Sequence, residues 1–160
     1  MADQTHYVTL GVAGGLFAVP VESVQQILEI QPIAAMPNAP ADFIGLIDVR
    51  GQNVPVIDLR AKLALPAAAD TQNTRIIVLD VSVENATRRF GLKTDQVFEV
   101  TGLDEGALEP PPDLGARWRA DCVAGVGRRA GAFVTVLDLD QLFLADALSS
   151  DSAVETLQTN

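Results

Sequence analysis

Five residues of this chain ask for a chemical role: His6, Cys122, Asp58, Asp138 and Arg50. His6 and Cys122 are the sole histidine and the sole cysteine. A nucleophile needs a base beside it. His6 sits at the edge of the first apolar run, YVTLGV (7–12), and reads as a surface residue. Cys122, in the apolar-leaning stretch DCVAGV, reads as a buried, inert thiol. There is no GxSxG, phosphate loop or HExxH, and no cluster has metal-ligand spacing. The sequence therefore points to no catalytic group, no cofactor and no metal. A carboxylate pair assembled by the fold is the open enzymatic alternative.

Asp58 and Asp138 each stand where an alternating run stops and an apolar-spaced turn begins, LRAKL or LDQLF. That position suits a helix N-cap, a carboxylate accepting a backbone N–H. Arg50 lies in DVRGQNVPVIDLR (48–60), beside Gly51 at an expected hairpin tip. An arginine fork there can donate several hydrogen bonds to carbonyls or carboxylates of a partner. Trp118, in GARWRA, reads as a loop aromatic on the core, with an interface anchor as the alternative.

These residues need a scaffold, and the chain supplies one by repetition. GLIDVRGQNVPVIDL (45–59) lies on GVGRRAGAFVTVLDL (125–139) without a gap. Gly45, Gly51, Val54, Val56, Asp58 and Leu59 meet the same residue types, and Arg50 meets Ala130. Upstream, FAVPVESVQQI (17–27) lies on FGLKTDQVFEV (90–100). The length difference falls in proline-rich connectors, where loops absorb it at small cost. Each half reads as a strand, a turn through Phe17 or Phe90, a short amphipathic segment, a connector and a hairpin. In the first half Val21, Val24, Ile27 and Leu28 have helical spacing, with Pro20 at the first turn. Two such halves, each with about five short strands, predict two small β-barrels packed together. The fold class is mainly β, with short helices. The segment 146–160 is polar and acidic, and is expected to be a frayed helix or disordered.

Composition narrows the partners. The 160 residues carry a formal net charge of −10, which repels phosphate backbones and anionic membranes. Nucleic acid is thus not an expected partner. The N-terminal stretch lacks the basic region of a signal peptide. The longest uncharged stretch, Thr5 to Val21, holds three glycines and a proline and is too short and polar to span a bilayer. A soluble cytoplasmic protein without direct membrane insertion is expected. One alternative is a small barrel that binds a ligand.

VPVESVQQILEI, MPNAPADFIGLIDVRGQNVPVIDLRAKL, TRIIVLDV, FGLKTDQVFEV and LEPPP occur in one order. As a set they resemble the CheW-like family of chemotaxis coupling proteins, over roughly residues 5–145. The chain resembles the stand-alone form, since it has neither a kinase catalytic region nor a receiver-like stretch. The resemblance implies two five-stranded SH3-like barrels and a non-enzymatic adaptor. It implies two partners, the regulatory domain of the histidine kinase CheA and the cytoplasmic tip of methyl-accepting chemoreceptors. The protein would be monomeric in isolation and recruited to receptor arrays. Carried over by position, the contact residues are Arg50, Gly51, Asp48, Gly45, Val24, Gln26, Val100 and Arg75. Asp48 departs from the family's usual asparagine. It can accept but not donate hydrogen bonds, so it would either pin Arg50 or mask its charge. Gln26 stands where an acidic residue is common.

Overall fold

The computed structural model describes residues 6–37, 39–83, 85–104, 108–110 and 122–143. Trp118 and the segment 146–160 lie outside them. Among the described residues ten strands form two five-stranded sheets. The first half supplies β1 (Tyr7–Val12), β2 (Gly15–Pro20), β3 (Val24–Glu29), β4 (Phe43–Val49) and β5 (Gln52–Asp58). The second supplies β6 (Arg75–Val83), β7 (Ala86–Thr94), β8 (Gln96–Thr101), β9 (Val123–Arg129) and β10 (Ala132–Leu137). One helical turn, α1 (Leu59–Lys62), follows β5. Residues 139–143 are helical after β10.

The sheets do not coincide with the two halves. Their strand orders are β8-β1-β2-β10-β9 and β3-β6-β7-β5-β4. Each sheet takes a hairpin from one half and three strands from the other, so the halves have exchanged hairpins. The ladders that join the halves inside each sheet include a parallel pair, β5 on β7 and β10 on β2. Parallel neighbours cannot be linked by a tight turn, which suits strands far apart in sequence. The registers repeat as well: Val56 opposes Gly91 where Val136 opposes Ala18. Even the irregularities recur. The ladders skip Gln25 and Phe98 at equivalent places, and Ile44 and Ala124 likewise.

The helical spacing of Val21, Val24, Ile27 and Leu28 is corrected by the structure. A single 3-10 turn covers Val21–Ser23, and the rest is strand β3. Half-buried Val24, Gln26 and Leu28 alternate there with exposed Gln25, Ile27 and Glu29. Pairing with β6 along the whole strand prevailed over the apolar spacing, and branched valine and isoleucine suit it.

Alternation places three cores. β6 is buried on both faces, with Ile77, Leu79 and Val81 on one and Ile76 and Val78 on the other. The first set joins Val8, Leu10 and Val12 of β1, Leu92 of β7 and Leu139, Leu142 and Phe143 in a cluster shared by both sheets. Ile76 and Val78 pack with Ile47, Val54 and Val56 inside one lobe, and Ala18, Val134 and Val136 fill the other. A fully buried large aliphatic side chain contributes about 1.5–3 kcal/mol. The shared cluster therefore outweighs any single polar contact between the lobes.

Polar contacts then fix the joints. The Asp58 carboxylate accepts from the Arg60 N–H at 3.1 Å and the Asp138 carboxylate from the Gln141 N–H at 3.2 Å, so both act as caps. The amide of Asp58 donates to the Asp42 carbonyl as that of Asp138 donates to the Cys122 carbonyl, each at 2.8 Å. Asp95, between β7 and β8, accepts from Arg60 Nε at 2.9 Å and Nη2 at 2.6 Å. It also accepts from the Ala13 N–H at 2.9 Å, tying α1 to the β1–β2 turn. These bonds, led by the Arg60 pair, hold its carboxyl below the usual carboxylate range.

Removing the cap, Asp58→Ala, lowers unfolding free energy by about 1 kcal/mol in denaturant titration, with an unchanged circular dichroism spectrum. For Asp95 the folded-state pKa is the depressed one, so its contribution is present above the unfolded carboxylate value. It is lost as pH falls through the folded value. The thermal-midpoint gap between the native chain and Asp95→Asn is therefore widest near neutral pH and closes below about pH 4.

Candidate partner-binding surface

Arg50 sits at the tip of the β4–β5 hairpin. It and Gly51 are both left-handed, at φ 52° and 84°. Two consecutive positive φ values form the hairpin turn that matches strand twist. Gly51 suits its place, with only open space where a β-carbon would stand, whereas arginine is strained at φ 52°. Asp48 Oδ1 accepts from the Gly51 N–H at 2.8 Å. The carboxylate thus pins the turn backbone. Among the described residues the exposed Arg50 guanidinium has neither hydrogen bond nor ion pair.

The second hairpin makes the same turn with other chemistry. Ala130 and Gly131 have φ 53° and 84°. Their amides donate to Asp104 at 3.0 and 3.1 Å, and these bonds lower that carboxyl's pKa. Arg128 stacks over Phe133, its guanidinium carbon 4.7 Å from the ring centroid.

The other expected contact residues separate by role. Gly45 is buried, and a β-carbon there would stand 2.3 Å from the Ala34 carbonyl oxygen. Its absence lets Ala34 bridge to Leu46, as Gly125 lets Glu109 bridge to Val126. Val24 and Gln26 lie on β3, the edge of the sheet opposite the Arg50 hairpin. Arg75 opens the neighbouring β6 and donates through Nη1 to the Gln72 and Thr74 carbonyls, serving its own turn. Val100, 56% exposed, lies on edge strand β8 of the other sheet. The structure thus gathers four of the eight on one hairpin, three on the β3–β6 pair, and one on the other lobe.

On strands β3 and β8 two exposed apolar residues were not among those expected. Ile27, at 41%, occupies the repeat position of Val100. That correspondence was visible in the alignment of 17–27 with 90–100. Phe98, at 52%, stands at the strand irregularity of β8 with its ring over Gly11. No periodicity marks it as exposed, since it looks like any strand aromatic. His6 is exposed, and Cys122 is half-buried against the shared core. No group of three metal-ligating side chains comes together among the described residues. Among them no helix is long and apolar enough to cross a membrane.

The CheW-like domain family model matches residues 6–147. The chain belongs to the CheW family. It is 31% identical to the chemotaxis protein CheW of Rhizobium meliloti over 127 residues, 79% of each chain. It is 23% identical to that of Treponema pallidum over 146 residues, 91% of this chain and 86% of the relative. The crystal structure of the scaffolding protein TtCheW from Thermoanaerobacter tengcongensis superposes with a TM-score of 0.77 at 25% identity. That match covers 89% of this chain and 90% of the other. The two sheets are the paired SH3-like barrels of this family, and the chain is a chemotaxis scaffold.

Because its turn strains an arginine, Arg50→Gly leaves the thermal midpoint equal to or above that of the native chain. Glycine adopts φ 52° without cost. Asp48→Asn keeps an acceptor for the Gly51 N–H and is expected to unfold at the native midpoint, whereas Asp48→Ala unfolds earlier. Calorimetry of the three variants checks both statements.

Proposed function

We propose that this scaffold couples methyl-accepting chemoreceptors to the histidine kinase CheA without catalysis of its own. The observation that carries the reading is Arg50: exposed, lacking a partner among the described residues, and held in a conformation that arginine disfavours. The sister turn keeps the same conformation with Ala130, so the fold itself does not call for a long charged side chain there. Its planar fork suits carbonyls and carboxylates of a partner.

In this reading the β4–β5 tip, with Arg50 and Gly51, is the principal contact. Asp48 and Gly45 hold it in shape, through the Gly51 amide and the Ala34 approach. Val24 and Gln26 on β3, with Arg75 opposite Glu29 at the far end of that strand, add contacts on the same lobe. Val100 adds an apolar contact on the other lobe. One set of residues serves the regulatory domain of CheA and another the cytoplasmic receptor tip. The protein acts in the cytoplasm, is monomeric in isolation and is recruited to membrane-bound receptor arrays. Its two ligands communicate through a coupling free energy, which requires both to be held at a fixed geometry.

Arg50→Ala reproduces the residue of the sister turn and so folds normally. If Arg50 is a true anchor, the variant loses about 2 kcal/mol or more of binding, roughly thirtyfold in Kd. Titration calorimetry with the CheA regulatory domain and with a receptor-tip fragment measures this. Unchanged affinity for both would remove Arg50 from the interface.

A further inference from the structure

The two lobes end in mouths of opposite chemistry. In one lobe the inward-facing rows of Ile76 and Val78, Val54 and Val56, and Gly91 run out into Asp80, Gln52 and Arg89. Arg89 donates to Asp80 through Nε at 2.8 Å and Nη2 at 3.3 Å, and through Nη1 to Gln52 Oε1 at 3.1 Å. That network lies across the mouth. In the other lobe the repeat puts Gly11, Ala132 and Leu16 at those three places. Gly11 opposes Leu16 as Asp80 opposes Arg89, and no ion pair can form between them. An open depression of about 160 Å³ takes its place. Gly11, Gly14, Gly15 and Leu16 line it, and the Phe98 ring forms a wall. Phe98 stands where the β8 ladder is irregular, and exposed Gln25 occupies the related irregularity of β3. Asp95 at the rim has both carboxylate oxygens bonded, to Arg60 and Ala13. The depression therefore offers apolar contact area and little to hold a charged ligand.

We propose that this mouth receives one apolar side chain, of leucine or phenylalanine size, from the protein partner that covers Val100. Size decides against a metabolite. Small-molecule pockets hold about 300–1,000 Å³, whereas an apolar space of roughly 150 Å³ holds a benzene ring. Continuity decides the partner. Phe98 and Val100 are exposed two residues apart on edge strand β8, so a surface lying on Val100 meets the Phe98 wall. An interface anchor characteristically fills such a pocket. The occupant rests on the adaptor reading, whereas the open mouth itself does not.

Titration calorimetry with the CheA regulatory domain and with a receptor-tip fragment tests this on variants of the full chain. Phe98→Ala removes the wall. Gly11→Asp with Leu16→Arg transplants the ion pair of the sister mouth. The atom nearest a new β-carbon at Gly11 is Cε2 of the Phe98 ring, at 3.0 Å, on a half-exposed side chain that can swing aside. Val100→Ala marks the partner. Phe98→Ala and the double variant are each expected to weaken about tenfold in Kd the partner that Val100→Ala weakens, and to leave the other unchanged. Native affinity for both partners in Phe98→Ala, equal loss for both, or loss confined to a partner that Val100→Ala spares would overturn the proposal. If the double variant fails to fold, Phe98→Ala decides by itself. A native chain that bound neither fragment would overturn the adaptor reading and the occupant together. Native-chain binding that Phe98→Ala leaves untouched would overturn the occupant alone.

Discussion

The rest of the structure depends on the two parallel ladders, β5 on β7 and β2 on β10. Through them each half of the chain completes the sheet of the other. β1 and β2 have no place in a sheet with β3, β4 and β5, because those strands close on β6 and β7. The shared core follows from the same exchange, since the interior strands β1 and β6 each turn a buried face toward it. Caps, bulges and the two glycine-permitted bridges then recur in pairs, as an exchange between like halves requires. For a scaffold the consequence is geometric. Two lobes that share strands cannot drift apart as tethered domains do, so residues displayed on each keep a set spacing.

Within this frame the two hairpin tips differ where they face solvent. Both adopt the same left-handed pair, and both are held by an aspartate accepting their amides. The supporting acid comes from different places, Asp48 on the hairpin itself and Asp104 from the loop after β8. One tip displays an exposed arginine, the other an alanine with a guanidinium-stacked phenylalanine behind it. A duplicated fold has thus been given two unlike ends.

Much of this was legible in the sequence. The repeat exposed the strand pattern, because strand alternation and capping aspartates are local features that recur together. Asp58 and Asp138 were read as caps from position alone, and both are. The exchange of hairpins was not legible, since a repeat shows which segments are equivalent but not which copy pairs with which. Segment 24–29 misled because its apolar residues fit two periods, and only the ladder with β6 chooses between them. The roles of Asp48 and Gly45 needed coordinates as well. One acts on a backbone amide and the other by leaving room for Ala34.

The most direct test of the exchanged fold divides the chain between Asp70 and Thr71, in the connector that separates the halves. Each piece is purified alone, and the two are then mixed and followed by circular dichroism and sedimentation. Neither piece should unfold cooperatively as a monomer, and mixing should restore a one-to-one complex with a single cooperative transition. A cooperatively unfolding monomer from either piece alone would mean that a half can close its own sheet, and would contradict the account.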